Sequence, residues 1–379
     1  MLRNKMKTAR PAVIVLLALV LVLALAGCGK KDAKTATGTA TGTAAATGKP
    51  TDVLATYKDN GTITRGDFDT FISINKMFSP QFAQYASDPA FQQDMLKQLI
   101  AMKVLAARAD ASVKADSDKQ VASQMDQFKS YFGAMQGGLD KQLKDNNLKE
   151  SDIQDFLKMS AYGINGLKTK VTDDEAKKSY DDKLKADPHA YDIATVDHIL
   201  IGLKDAATQK DLRTKDEALA RAKEVKAKLD KGGDFAALAK EYSDDPGSKD
   251  NGGQYKDADI TQWVTGFKEA AATLPIGKIS DPVETEYGYH VMKVESRKTK
   301  TFDEVKDSLK SSIAENDAYT FMDKELPGLI LTNNLPKPPA GDKDPATGTA
   351  PGAAADPNAA TPAAPADPNA ATPAQPATK

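Results

Sequence analysis

The stretch "FAALAKEYSDDPGSKDNGG", Phe235 to Gly253, decides the fold of the region around it. Phe235–Tyr242 reads as a short helix. Gly232-Gly233 ends the element before it, and Asp234 stands where a capping carboxylate accepts the first free amides. After Tyr242, Pro246, Gly247, Gly252 and Gly253 mark a Gly-rich loop. Upstream, Lys215–Lys231 reads as a helix. Thr214 and Glu217 are spaced as a capping box, and Ala218, Ala222, Val225 and Leu229 share one face. Before it, Asp192–Leu203 has the character of a buried strand. Downstream, Phe267–Leu274 is predicted helical. Pro282–Thr285 and Tyr289–Glu295 are predicted strands, joined through Glu286-Tyr287-Gly288 as a tight hairpin. This order predicts a small α+β domain with an antiparallel sheet.

Two of the three histidines in the chain sit on those strands. Side chains on a strand alternate between faces. His198 therefore shares a face with Val196 and Leu200, and His290 with Met292 and Val294. Each interrupts an apolar row. A single such histidine is ordinarily a hydrogen-bonded core residue. Two of them, on the first and last strands of one small domain, suggest a shared polar site.

The whole stretch resembles the parvulin family of peptidyl-prolyl isomerases. The resemblance rests on His198-Ile199-Leu200, on Phe235 to Gly253, and on "GFKEAAATLPIGKISDPVETEYGYHVMKV", Gly266 to Val294. It implies a site in which His198 and His290 are the paired histidines and Asp245 is the acidic partner that hydrogen-bonds with them. Thr285 is then the hydroxyl residue near the second histidine, and Phe267 the floor of the proline pocket. Trp263 falls where the family usually has Met, Tyr255 where it has Leu, and Tyr287 at a common Ser. Gln254 to Thr265 lacks the usual glycines and the proline before the aromatic residue. The expected substrate-binding rim of Tyr255, Trp263, Phe267 and Tyr287 is therefore bulkier and more aromatic than in the family. Phosphate-directed parvulins carry a basic cluster after the first strand. Here Lys204, Lys210 and Arg213 alternate with Asp205 and Asp211, so no requirement for phosphorylated substrates is expected.

The ends of the chain fix the expected compartment. Arg3, Lys5, Lys7 and Arg10 precede an apolar run from Ala12 to Ala26, short for a spanning helix. Leu25-Ala26-Gly27-Cys28 resembles the lipobox of bacterial lipoproteins, which implies cleavage before Cys28 and lipidation there. Cys28 is the only cysteine, so no internal disulfide forms. The expected organisation is a signal peptide (1–27), a Thr/Ala/Gly tether (28–51), a helical chaperone domain (52–187), the isomerase domain (188–298), a C-terminal helix packing back on the chaperone domain (299–335), and a Pro/Ala-rich tail (336–379) containing "ADPNAATPA" twice. In the first of these folded regions, Ser87-Asp88-Pro89 starts a helix and Thr172 with Glu175 caps another. Phe91, Met95, Leu96, Leu99 and Ile100 recur at helical spacing. A hairpin followed by long helices resembles the chaperone region of SurA- and PrsA-type foldases. Taken whole, the chain resembles the PrsA-type foldase lipoproteins of Gram-positive bacteria.

Basic and acidic residues nearly balance, 51 against 53, and both signs are interspersed, which excludes a nucleic-acid stripe. Two histidines and Asp245 have metal-ligand chemistry, but their spacing is long and no third histidine clusters with them, so neither a metal nor another cofactor is expected. A hydrolytic triad lacks a nucleophile elbow around Ser243. The expected partners are unfolded, newly exported proteins and, through the lipid anchor, the outer face of the cell membrane. A homodimer through the chaperone region is a further expectation. The rival reading is a non-catalytic holdase or assembly chaperone with a degenerate parvulin domain.

Overall fold

The computed structural model describes residues 48–133 and 137–338. The expected signal, Cys28, most of the tether and the tail from residue 339 lie outside the described residues. The described chain divides into two compact units. One takes in residues up to Ala176 and those from Ser308 on, the other Lys177–Asp307. Among the described residues, no helix is long and apolar enough to cross a membrane.

The first unit opens with β1 (Val53–Tyr57) and β2 (Gly61–Thr64), an antiparallel hairpin. The opposite edge of β1 pairs with β7 (Ile330–Asn333), which returns from the far end of the chain. Thr64 and Asp67 form a capping box that starts α1 (Arg65–Phe78). Asp88 caps α2 (Pro89–Ala107), whose first residue is the proline expected there. Next come α3 (Ala111–Gly133), α4 (Gly138–Asp145) and α5 (Glu150–Lys168). Leu96, Ile100, Val121 and Ile153 are fully buried and share one core with Phe321 and Leu326 from the C-terminal segment. That core, rather than helix propensity, holds these helices together.

The chain passes between the units within α6 (Asp173–Ala186) and again within α10 (Phe302–Thr320). In the second unit, β3 (Asp192–Gly202), β4 (Gln254–Asp259), β5 (Val283–Thr285) and β6 (Gly288–Thr299) form one antiparallel sheet in the order β4-β3-β6-β5. Ile199, Ile201 and Val291 pack one face against α7 (Lys215–Asp230) and α8 (Phe235–Tyr242). Val196, Met292 and Val294 pack the other against Ile260 and α9 (Thr265–Thr273). The caps expected at Thr214 and Asp234 are formed.

Three elements differ from the sequence reading. β7 lies inside the segment expected to be a C-terminal helix, which ends at Thr320, because β1 offers Ile330–Asn333 an edge to pair with. β4 occupies residues expected to belong to a loop. Its polar run Gln254–Asp259 becomes a strand only because β3 offers an edge to pair with. β6 extends to Thr299, four residues beyond the predicted end, because β3 pairs with it along its whole length, from Asp192↔Thr299 to Gly202↔Gly288.

Candidate functional site

The β3–β6 register sets the site. His198 lies opposite Met292 and Leu200 opposite His290, so the two histidines are diagonal neighbours on one face of the sheet. Both are buried. Their Nδ1 atoms are 3.2 Å apart. On the outer side, His290 Nε2 is 2.9 Å from Thr285 Oγ1 on β5. On the inner side, His198 Nε2 is 3.0 Å from Asp245 Oδ2. The line Thr285–His290–His198–Asp245 is therefore continuous.

Asp245 is delivered by the loop after α8. Asp244 N–H donates to Leu200 O at 2.8 Å, which fastens the loop to β3. Ser243, rejected above as a nucleophile, is fully buried, and its Oγ accepts the amides of Leu200 and Asp245, each at 3.2 Å. It is a splint between strand and loop. Ser248 was not singled out from the sequence. Its Oγ lies 2.9 Å from His198 Nε2 and its hydroxyl donates to Asp245 Oδ2. A polar loop without periodicity gives no sign of which serine turns inward. The only available signal was that Ser248 lies inside the segment with the strongest family resemblance.

The electrostatics order the protons. Burial alone would raise the Asp245 pKa. Hydrogen bonds from His198 and Ser248 outweigh it and hold the carboxyl well below the usual carboxylate range. Asp245 is thus an acceptor only, and His198 carries a proton on Nε2. Burial, and then the neighbouring His198, lower the His290 pKa to about 3, so His290 is neutral. With His198 neutral, its Nδ1 accepts from His290 Nδ1–H, and His290 Nε2 accepts from the Thr285 hydroxyl. With His198 doubly protonated, the His290 proton moves to Nε2 and Thr285 donates instead to Gly288 O, 3.4 Å away. The line can therefore run in either direction without leaving a group unpaired.

Aromatic rings close the site. Phe267 is buried, with its ring centroid 5.1 Å from His198 and 5.0 Å from His290, edge-on to both. Trp263, the only tryptophan in the chain, stands 5.0 Å from Phe267. Tyr255 on β4 stacks on His198 at 5.2 Å and lies 6.3 Å from Trp263. Its hydroxyl donates to Asp245 Oδ2 at 2.9 Å. Tyr287 stands apart. Its side chain is on the β5–β6 turn, 41% exposed, and its backbone N–H donates to Thr285 Oγ1 at 3.2 Å. Of the residues singled out in the sequence, seven meet here through ring or hydrogen-bond contacts; Tyr287 contributes backbone, and Cys28 lies outside the described residues.

Residues 198–296 match the Rotamase family, described as a PPIC-type PPIASE domain. The "Foldase protein PrsA" of Geobacillus kaustophilus is 35% identical over 228 residues, 59% of this chain and 69% of that protein. The "Foldase protein PrsA 3" of Bacillus cereus is 33% identical over 241 residues, 63% of this chain and 72% of that protein. The solved peptidylprolyl isomerase PrsA of Bacillus anthracis is 30% identical and covers 62% of this chain and 94% of its own, with a TM-score of 0.31. On the strength of the sequence identities, the chain belongs to the PrsA family of foldases and carries a peptidyl-prolyl cis–trans isomerase domain.

Proposed function

We propose that Thr285, His290, His198 and Asp245 form the polar line that promotes isomerisation of X–Pro bonds in unfolded exported proteins. Phe267, Trp263 and Tyr255 bind the prolyl ring, and Tyr287 stands at the rim. The observation that carries this reading is the unbroken hydrogen-bonded line beneath the edge-on ring of Phe267. Amide resonance sets a barrier of about 18–20 kcal/mol. The planar amide owes its stability partly to charge on its oxygen, and water solvates that charge. An aromatic pocket withdraws the water, so the planar form loses more than the twisted one, in which resonance is broken. The polar line holds the strands, and hence the pocket, in one geometry. No bond to carbon is made or broken.

Further parts of the proposal follow from the flanks. Cys28 is the lipidation site and holds the protein at the extracytoplasmic face of the membrane. Residues 188–298 are the isomerase domain, inserted between 52–187 and 299–335, which together make the chaperone domain; the burial of Phe321 and Leu326 beside Leu96 favours that grouping. Unfolded segments bind the helical domain, where a cavity of about 310 Å³ is lined by Leu105, Arg108, Leu167 and Phe321. Beside it Met102, Met159 and Met322 offer adaptable apolar contacts. Substrates need no phosphate, because the Arg213 guanidinium is already committed to Asp244 and to Gly202 O.

Refolding of a client limited by proline isomerisation separates this reading from a pure holdase. His198→Ala with His290→Ala should abolish acceleration of the slow refolding phase, while suppression of aggregation by the intact chain persists. Undiminished acceleration in that variant would contradict the proposed site.

A further inference from the structure

We infer that the Tyr255 hydroxyl is a positioning group for the Asp245–His198 pair, and not only part of the pocket wall. The inference rests on the isomerase reading above. Family resemblance predicts an aliphatic residue at this position, which would have no hydrogen bond to offer. The ring stacks on the His198 imidazole, 5.2 Å between centroids and 21° between planes, while the hydroxyl donates to Asp245 Oδ2 at 2.9 Å. The same oxygen receives His198 Nε2–H at 3.0 Å and the Ser248 hydroxyl. The other oxygen receives Gly247 N–H at 3.1 Å.

A carboxylate oxygen has about two lone-pair sites, so three donors leave Oδ2 without spare capacity. Four donors from three directions also fix the rotation of the carboxylate. Asp245 is therefore an anchor rather than a base: its orientation, and through it that of His198, depends on each donor. Tyr255 holds both members at once, the imidazole by its face and the carboxylate by its hydroxyl. The phenol stays protonated for this task, because burial and then the Asp245 charge push its pKa up.

A second observation points the same way. A Cβ added at Gly247 would lie 2.9 Å from the Tyr255 oxygen and 3.4 Å from Asp245 Oδ1. A side chain at position 247 would push the phenol oxygen from its place against the carboxylate. Gly247→Ala is therefore a lesion of the same contact made from the opposite side.

The test uses the intact chain and a proline-peptide isomerisation assay. Tyr255→Phe keeps the ring and its stack on His198 and removes only the hydroxyl. It should lower kcat about ten- to a hundredfold, the range spanned by one hydrogen bond to a charged group, with KM within about twofold. Gly247→Ala should reproduce that loss. In an Asp245→Ala background, which leaves no acceptor at this position, Tyr255→Phe should add nothing, since the hydroxyl acts through the carboxylate. A wild-type kcat in Tyr255→Phe, or an equal loss in both backgrounds, overturns the inference. If Asp245→Ala is too slow to assay, the His198 Nε2–H resonance takes its place: it should shift in Tyr255→Phe, and an unmoved resonance overturns the inference. Loss of activity in His198→Ala and His290→Ala without loss in Tyr255→Phe removes this inference alone. A wild-type chain with no isomerase activity removes the isomerase reading beneath it.

Discussion

His290 shows how burial assigns a job to a residue. Its pKa falls to about 3 because burial, and then His198, disfavour the charged ring. The unfolded chain takes up that proton near pH 6.5; the folded chain does so only near 3. Stability is therefore fully present above about 6.5 and falls as pH drops toward about 3, at up to about 1.4 kcal/mol per pH unit for one proton. Asp245, held low by His198 and Ser248 against its burial, contributes stability that is present above its unfolded value of 3.8 and lost only below it. Between about pH 6 and 4, His290→Asn should flatten the slope of unfolding free energy measured by denaturant titration; an unchanged slope counts against a neutral His290. At the other end of the line, Thr285→Val keeps the side-chain shape but leaves His290 Nε2 unpaired. The expected cost is about 1–3 kcal/mol of stability, together with a lower turnover; wild-type values of both would show that Thr285 is a bystander. His198, His290 and Asp245 were legible in the sequence because polar residues on apolar strands, and a family-like loop, stand out. Ser248 was not, since one serine in a polar loop has no pattern to break.

At the scale of elements, the caps at Asp88, Thr214 and Asp234 made the helix starts readable, because capping is a local effect written in adjacent residues. β4 was hidden for the converse reason. Lys256, Asp257, Ala258 and Asp259 have little strand propensity, and Asp257 even has a φ of +47°. What makes this a strand is β3, met across a long sequence separation. Gly253 makes the meeting possible. Its carbonyl accepts His198 N–H at 2.8 Å, its φ is +80°, and a Cβ there would lie 2.3 Å from His198 O. Gly253→Ala should therefore break the β3–β4 edge beside the site. It should cost about 1–3 kcal/mol for the backbone strain alone and displace His198. Urea denaturation and the peptide assay would both register it; a variant with wild-type stability and turnover would show that β4 does not position the site.

At the scale of the molecule, the sequence pointed to separate regions and to a C-terminal segment whose apolar face needs a partner. It did not show β7. Only pairing with β1 turns Ile330–Asn333 into a strand. The closing segment is anchored by Leu326, 1% exposed in the core of the helical unit. Leu326→Ala should destabilise that unit by about 2–5 kcal/mol and lower its melting temperature, while peptide isomerisation at 10 °C stays near wild type. Loss of both together would show that the units do not work separately. The central claim is that the His–His–Asp line and its aromatic cover accelerate rotation about X–Pro bonds. Exchange NMR on a proline peptide measures that rotation directly, with no protease or client. Catalytic amounts of the intact chain should produce cis–trans exchange cross-peaks, and His198→Ala with His290→Ala should remove them. Cross-peaks of equal strength from that variant would contradict the claim.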